Sequence, residues 1–283
     1  MHIALVTARE LPRPDHDLPI LVDAFAARGV SAHIIPWEDT SVEWNTFDAA
    51  IVRSTWNYLD HLDAFRKWIK ATARSTRLIN PLEVLEWNLH KSYLLELANA
   101  GVPVVATTLV RAGERVEWHA HFARLGDVVV KPAVSAGSFA TIRVRAGDAV
   151  SAQAHIDAYP TRDFLVQPFL ASVTTRGESN MVHFNGRFSH AVRKLARWSG
   201  DGEQARGLVD VTDIERDAAA RVLACVRANP LIGMGRELAY ARVDLALDDQ
   251  GVPLLMELEL VEPSLFLEQC PERAALLVDA VLQ

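Results

Sequence analysis

The chain has 283 residues, half of them hydrophobic, and a formal net charge of −7. This length and composition allow a packed core spread over two or three lobes, and the acidic balance argues against a general nucleic-acid-binding surface. The apolar run Met1–Val6 has no basic residues before it and is too short for a signal peptide. No run approaches the roughly twenty apolar residues that span a bilayer. We therefore expect a cytoplasmic protein that binds neither nucleic acid nor a membrane.

Apolar runs and amphipathic segments alternate through the first part of the chain. We predict strands at 3–7, 31–36, 49–53 and 78–79 and helices at 18–28 and 62–73. Such alternation is typical of right-handed βαβ units around a parallel sheet, which binds ligands at the carboxyl ends of its strands. Arg53 and Trp56 stand at such an end. They suit a small carboxylate-bearing ligand, and a plain polar loop fits equally well.

The segment after a boundary expected near Asn80-Pro81 mixes helices with apolar strands. We predict helices at about 89–100 and 149–158 and strands at 102–107, 128–131, 141–144 and 164–170. Lys131 ends one of these strands, just before the small-residue turn Ser135–Ser138. The N–H groups and hydroxyls of such a turn, together with an ammonium group, can hold a phosphate. The spacing is not that of a Walker A loop, and a lysine without a ligand is the alternative.

The remaining segment contains two predicted hairpins. The first has strands at 179–184 and 187–195 around the turn Asn185-Gly186. Residues 198–207 are charged and glycine-rich without a regular period, which predicts a mobile loop. Helices are expected at 213–228 and 271–282, on either side of the second hairpin.

The second hairpin, with strands at 241–247 and 252–260, carries the strongest chemical signal. Residues two apart on a strand share a face, so Glu257 and Glu259 project together. A register that brings Asp244 opposite them gathers three carboxylates, which repel one another unless a cation neutralises them. All-oxygen ligation favours Mg²⁺. A solvent-facing acidic strand edge is the alternative interpretation.

Four further features carry functional hypotheses that are weak in isolation. Lys91, at a helix start, could bind an anion or be a solvated helix lysine. The strand 164–170 contains Pro168, which leaves neighbouring backbone groups free for an adenine edge or merely ends a buried strand irregularly. Glu178 could hold ribose hydroxyls, and Arg193 together with Lys194 could hold a phosphate or an anionic substrate. Ordinary surface charge is the favoured explanation of each in isolation.

The order of these features resembles the ATP-grasp superfamily, which includes D-alanine–D-alanine ligase, glutathione synthetase and the ribosomal-protein glutamate ligases. The resemblance covers roughly residues 85 to 265. It implies an α/β (α+β) ATP-grasp fold, with an N-terminal βαβ parallel-sheet domain and two lobes that sandwich ATP. The implied domains are 1–84, 85–165 and 166–283.

The resemblance also assigns roles to individual residues. ATP-binding roles fall on Lys91, Lys131, Ser135, Gly137, Ser138, Gln167, Phe169, Leu170 and Glu178. Metal binding, for two Mg²⁺ ions with Mn²⁺ as an alternative, falls on Asp244, Glu257 and Glu259. Catalytic roles are expected for Lys131, Arg193 and Arg242, and substrate contacts for Arg53, Trp56 and Ser264.

Two departures from the superfamily pattern narrow the resemblance. Glu259 stands where most relatives have asparagine, and Glu262 is inserted before Pro263. These residues, with the Arg53-Ser54-x-Trp56 stretch, are most similar to the O-ureido-serine cyclo-ligases of cycloserine biosynthesis.

The implied activity is an ATP-dependent carboxylate–amine ligase acting on a small amino-acid-like substrate. An acyl phosphate would form, and a nitrogen would then displace phosphate. The alternatives are an intramolecular cyclo-ligase, an ATP-grasp kinase and a non-catalytic nucleotide-binding module. The expected partners are small carboxylates and amines, with a homodimer as the commonest default assembly.

Overall fold

The computed structural model describes residues 1–195, 205–233 and 235–283. These residues form three sheets that follow one another along the chain, a parallel sheet and then two antiparallel ones. No helix in the described ranges is long and apolar enough to cross a membrane.

The first sheet confirms the predicted parallel βαβ arrangement. Its strands are β1 (His2–Thr7), β2 (Ser31–Pro36), β3 (Ala49–Ser54) and β4 (Arg77–Ile79), and its helices are α1 (Asp17–Ala26) and α2 (Leu62–Thr72). The strand order is β2-β1-β3-β4. Strands β1 and β3 are almost wholly buried, as expected for parallel strands covered on both faces. Beyond β3, the 3₁₀ turn Trp56–Asp60 forms part of the sheet's carboxyl-terminal edge.

The second sheet follows two short helices. These helices are α3 (Leu82–Asn88) and α4 (Tyr93–Asn99), and α5 (Trp118–Leu125) and α6 (Ala149–Asp157) come later. The strands are β5 (Thr108–Val110), β6 (Val128–Pro132), β7 (Ile142–Val144) and β8 (Phe164–Pro168). Their order is β5-β8-β6-β7. Strand β8 lies wholly in this sheet, which therefore continues past residue 166, the predicted start of the last lobe.

Two predictions for this segment are wrong. The helix predicted over 89–100 begins only at Tyr93, because the chain turns at Lys91, whose backbone N–H donates to the carbonyl of Ala133 (2.8 Å), and the preceding helix α3 was not predicted. The strand predicted over 102–107 is not formed. Its only pairing is an isolated bridge, in which Leu255 donates to the carbonyl of Pro103 and accepts from Val105. Since proline has no N–H, Pro103 contributes only its carbonyl.

The third sheet contains both predicted hairpins. It consists of β9 (Glu178–Phe184), β10 (Arg187–Lys194), β11 (Ala205–Leu208), β12 (Tyr240–Leu247) and β13 (Pro253–Glu259), in the order β11-β10-β9-β12-β13. Helices α7 (Ser172–Thr175), α8 (Asp213–Ala228) and α9 (Ala274–Leu282) accompany it. Asn185 and Gly186 both have positive φ, 48° and 71°, as a type I′ hairpin turn requires.

The two faces of this sheet pack against different partners. Helix α8 packs against the face that carries Met181 and Val243. The opposite face carries Val182 and Tyr240, which share a hydrophobic core with the first sheet and α9. The first sheet and α9 therefore cover part of that second face, and a ligand can reach it only beyond the edge of the first sheet.

Buried hydrogen bonds join the first sheet to the hairpin of β12 and β13. Asn80, at the predicted boundary, is buried, and its Nδ2 donates to the carbonyls of Tyr240 (2.9 Å) and Leu260 (3.0 Å). The hydroxyl of Tyr240 donates to the carbonyl of Val261 (2.8 Å). The boundary is thus a packed junction, and it fixes the chain that leaves β13.

Candidate active site

The three predicted metal ligands converge. Strands β12 and β13 pair with Asp244 opposite Glu257 and Arg242 opposite Glu259, which confirms the predicted register. One carboxylate oxygen from each of Asp244, Glu257 and Glu259 lies within 4.8 Å of the other two. Asp244 is almost fully buried, and the two glutamates are partly exposed. The solvent-facing acidic edge considered as the alternative is therefore not what the chain forms.

Two cations compensate this negative charge. Arg242 donates to both carboxylate oxygens of Asp244, from Nε (2.9 Å) and from Nη2 (2.8 Å), and Nη2 also donates to Glu259. The ammonium group of Lys91 lies 2.9 Å from Oε1 of Glu257. Such bidentate and charge-assisted contacts are the strong class of polar interaction.

The carboxyl groups differ in acidity for identifiable reasons. Burial works to raise the pKa of Glu257, but Lys91 and Lys131 outweigh it and hold the pKa at about 2. Burial raises the pKa of Glu259, and the neighbouring carboxylates add to this effect against the pull of Arg242. Three carboxylates this close together suit a hard divalent cation. Glu259 holds its proton more strongly than an ordinary glutamate does, and a bound cation would displace that proton.

The predicted phosphate cradle lies beside this cluster. Lys91 Nζ donates to the backbone carbonyl of Ser135 (2.5 Å) and to its Oγ (3.1 Å). Lys131 is 8% exposed; burial lowers its pKa, and Glu257 counteracts that effect. Gly137 and Ser138 lie beyond, in an exposed turn with φ of 60° and 61°. Both lysines and the loop therefore border the same carboxylates.

The predicted adenine segment leaves the second sheet at β8. Gln167 is 1% exposed, its Nε2 donates to Thr107 Oγ1 (2.9 Å), and its Oε1 has no hydrogen-bond partner. The ring of Phe169 lies 3.6 Å from the guanidinium carbon of Arg143. Leu170 follows, partly buried, with its carbonyl accepting from Val173. This segment connects the second and third sheets.

Glu178 lies on the same face of the third sheet as the metal candidates. It pairs with Lys194 in the β9–β10 register. Burial raises its pKa, Lys194 and Lys131 lower it, and Asp244 raises it again. Glu178 is thus within electrostatic reach of both the phosphate and the metal candidates.

Arg193 faces away from the site. It lies opposite Ser179 in the strand register, whereas Asp244 lies opposite Asn180. Because side chains alternate along a strand, Arg193 and Asp244 point to opposite faces. Arg193 Nη1 donates to Ser179 Oγ (2.6 Å) and lies 3.9 Å from Glu215 on α8. The structure therefore does not bring Arg193, for which a catalytic role was predicted, to the carboxylate cluster.

The predicted substrate residues lie at two depths. Arg13 links Trp56 and Ser264 near the carboxyl-terminal edge of the first sheet. Its guanidinium lies over the Trp56 ring (4.5 Å) and donates to Ser264 Oγ (3.3 Å). Arg53 lies beneath this edge and is 1% exposed. Its Nη2 donates to the carbonyl of Pro263 (2.7 Å) and lies 3.5 Å from Asp17. Arg53 Nε and Nη1 have no hydrogen-bond partner.

Sequence reasoning missed Arg13 and Asn180, which the fold brings to this region. Asn180 is fully buried next to Asp244, and neither atom of its carboxamide has a partner. No sequence pattern identifies it, since an asparagine within a strand has no distinctive spacing. Arg13 was detectable, because it follows β1 and so belongs to the predicted ligand edge.

Most of the predicted mobile loop, residues 198–204, lies outside the described residues. Residues 205–208 form strand β11, paired with β10.

Comparisons with known proteins agree with this geometry. A sequence profile described as the N-terminal domain of the D-cycloserine synthetase DcsG matches residues 3–80. The cycloserine biosynthesis protein DcsG of Streptomyces lavendulae is 34% identical to this chain in an alignment that covers 93% of this chain and 92% of that protein.

Solved structures extend the likeness to the whole fold. The crystal structure of D-cycloserine synthetase DcsG superposes with a TM-score of 0.90 at 32% identity, covering 99% of this chain and 98% of that one. D-alanine–D-alanine ligase from Bacillus anthracis gives a TM-score of 0.70 at 15% identity, covering 100% and 96%. This more distant likeness concerns the fold alone.

Proposed function

The chain belongs to the DcsG family of ATP-grasp ligases, enzymes that form C–N bonds, and from this premise we propose its substrates and the roles of its residues. We propose that it activates the carboxylate of a small amino acid with ATP and joins it to a nitrogen of the same molecule. An O-ureido-serine is the proposed substrate, and its intramolecular closure would release ADP and phosphate. The 34% identity to the cycloserine biosynthesis protein over nearly the whole chain supports this substrate class.

The observation that carries the proposal is the contact between Lys91 and Glu257. This contact joins Lys91 to the hairpin of β12 and β13 that carries the three carboxylates, although the two come from different parts of the chain. A triphosphate needs cations for its oxygens and a metal ion for its charge, and this arrangement offers both within one cluster.

The proposed nucleotide contacts follow the chain through the cleft between the second and third sheets. The phosphates would be held by Lys91, Lys131, Ser135, Gly137 and Ser138, the adenine by Gln167, Phe169 and Leu170, and the ribose by Glu178. Asp244, Glu257 and Glu259 would hold Mg²⁺, with two ions proposed and Mn²⁺ able to substitute. The metal would neutralise phosphate charge and so favour phosphoryl transfer.

The residues of the chain act mainly by position and charge. The substrate carboxylate attacks the terminal phosphorus, and ADP leaves. Lys91, Lys131 and Arg242 stabilise the charge that spreads over the transferring group. Trp56, Ser264 and Arg13 would hold the substrate at the edge of the first sheet, with Arg53 supporting them from below.

The test is an ADP-release assay with ATP, Mg²⁺ and O-ureido-serine of either configuration, run beside a panel of amino acids and dipeptides. We expect ADP release and a cyclised product, identified by mass spectrometry, with O-ureido-serine. ADP without a new C–N bond would indicate a kinase. If no acid releases ADP, even with hydroxylamine present as nucleophile, the ligase proposal is wrong and a nucleotide-binding module remains.

A further inference from the structure

The loop between β6 and β7, residues 133–141, carries three of the proposed phosphate contacts and is hereafter the phosphate loop. Two of its residues, Ser138 and Ala140, have φ of 61° and 47° although neither is glycine. This left-handed backbone region is unfavourable for a residue with a side chain, and it persists where surrounding contacts hold it. The shape of the phosphate loop therefore depends on the contacts that hold it.

Phe139, between those two residues, makes such contacts. Its ring packs edge-to-face against the Tyr159 ring, with the centroids 5.8 Å apart. The guanidinium carbon of Arg162 lies 5.2 Å from the centroid of the Phe139 ring, within the range of a cation–π interaction. Phe139 is 38% exposed, so Tyr159 and Arg162 fix a ring that burial alone does not.

Arg162 also contacts the edge of the first sheet. Its Nη2 donates to the carbonyl of Leu59 (3.2 Å) and lies 3.6 Å from Oδ1 of Asp60. Both residues belong to the 3₁₀ turn Trp56–Asp60, which begins with the proposed substrate contact Trp56. One guanidinium therefore joins the turn beside the proposed substrate to the ring that anchors the phosphate loop.

The boundary that Arg162 crosses is not closely packed. A cavity of about 490 Å³ lies there, lined by Leu59 and Asp60 on the side of the first sheet and by His90, Val134 and Arg162 on the side of the second. Close packing would lock the two sheets together, whereas a cavity leaves their relative position to the contacts that span it. Arg162 makes contacts of that kind.

We infer that Arg162 couples the two proposed ligand sites. Substrate at the edge of the first sheet favours the shape of the phosphate loop that binds ATP, and ATP favours the edge that binds the substrate. The inference rests on the proposed function, and Arg162 is a positioning residue that touches neither ligand. Substrate held against Trp56 fixes the turn that follows, and the Leu59 carbonyl then fixes the Arg162 guanidinium over Phe139. Such coupling is reciprocal, because each ligand changes the affinity for the other by the same factor.

Titration calorimetry measures this coupling as a ratio of two affinities. The dissociation constant of a non-hydrolysable ATP analogue with Mg²⁺ is determined without O-ureido-serine and again with O-ureido-serine at saturation. In the wild type we expect the second constant to be about tenfold lower, within the usual range for coupled sites. Arg162→Met keeps the aliphatic part of the side chain and removes its donors. The ratio of the two constants should then fall close to unity, while the affinity for the analogue alone stays close to that of the wild type.

Further variants test the path of the coupling. Phe139→Leu removes the ring and should lower the ratio as far as Arg162→Met does, and the double variant should lower it no further, since the two side chains act through each other. Arg162→Lys keeps the charge and a donor for Leu59, so it should retain part of the coupling. Arg115→Met, at an exposed position between β5 and α5, is the matched control and should keep the wild-type ratio.

Thermal unfolding of each variant checks the fold. A ratio close to unity in the wild type, or a wild-type ratio in folded Arg162→Met or Phe139→Leu, would overturn the inference. Direct titration of O-ureido-serine into the wild type distinguishes this result from a failure of the proposed function. If O-ureido-serine does not bind, with or without the analogue, the proposed function is overturned instead.

Discussion

The ammonium group of Lys91 lies 2.9 Å from the carboxylate of Glu257, and Lys91 is largely buried whereas Glu257 is partly exposed. The contact brings the chain between α3 and α4 onto strand β13. In the absence of other charges the two groups neutralise each other, so nucleotide phosphates and a metal ion can exchange partners with them when they bind. This ion pair is the structural link between the two halves of the proposed site.

The metal assignment predicts the behaviour of Glu257→Gln. The amide removes a charged oxygen ligand, while Lys91 keeps its bonds to Ser135, so the protein should remain folded. ATP turnover should fall by about 100-fold or more, as expected when preorganised charge at a phosphoryl group is lost. Circular dichroism and ADP release at saturating Mg²⁺ measure the two properties. Asp249→Asn, at the exposed tip of the same hairpin, is the control, and near-normal turnover in Glu257→Gln would remove the assignment.

The phosphate assignment predicts the effect of Lys131→Ala. Loss of one charge-assisted contact should weaken nucleotide binding by roughly 2–3 kcal/mol. Titration calorimetry with a non-hydrolysable ATP analogue and Mg²⁺ measures it. Lys67→Ala removes an exposed lysine on α2 and should bind as the wild type does. An unchanged affinity in Lys131→Ala would show that this lysine does not contact the phosphates.

The contacts of Asp17 with residues far from helix α1 predict that its substitution destabilises the protein. Its carboxylate accepts from the backbone N–H groups of Leu265 (2.8 Å) and Leu267 (2.7 Å) and lies 3.5 Å from Arg53. Asp17→Asn replaces one acceptor oxygen with an N–H₂ donor, which leaves a buried backbone donor without an acceptor and the Arg53 guanidinium without its counter-charge. We expect a loss of about 3 kcal/mol in the free energy of unfolding.

Urea denaturation measures that loss. The control is Asp279→Asn, which breaks the exposed ion pair with Arg28 and should cost less than about 1 kcal/mol. Equal losses in the two variants would contradict the role assigned to Asp17.

The lowered pKa of His183 predicts that the free energy of unfolding depends on pH. Burial lowers its pKa to about 4, although the carbonyl of Met181 acts in the opposite direction. Between pH 6.5 and 4 the unfolded chain binds a proton that the folded chain does not, so stability falls as the pH falls through this window. The loss should approach about 3 kcal/mol at the acid end. His190, whose pKa is also lowered by burial, contributes in the same direction.

Denaturation at several pH values measures this slope. His183→Asn keeps a donor for Met181 but does not titrate, so it should flatten the slope. His119→Asn, at an exposed position on α5, should not. A slope as steep in His183→Asn as in the wild type would exclude His183 as a source, since His190 alone should leave a shallower one.

The sequence predicted the hairpin of β12 and β13 because its causes are local. The turn residues 248–251 reverse the chain, and the period of two places Glu257 and Glu259 on one face. The parallel sheet was equally accessible, since alternating apolar runs and amphipathic helices admit few arrangements. The strand predicted over 102–107 was wrong because apolar character alone cannot show whether a proline-containing segment finds a partner.

The local sequence of a strand did not determine which of its two faces lies toward the proposed site. Strand β10 carries Arg193 and Lys194 in succession, and the β9–β10 register shifts between Phe188 and His190. A shift of one residue exchanges the two faces of a strand, so the fold decided that Arg193 meets α8 while Lys194 meets Glu178. Likewise, only packing of the first sheet against the third buried Arg53. The sequence alone determined the elements and the chemical groups they carry, whereas the tertiary structure determined which groups meet, because those meetings depend on contacts between segments distant along the chain.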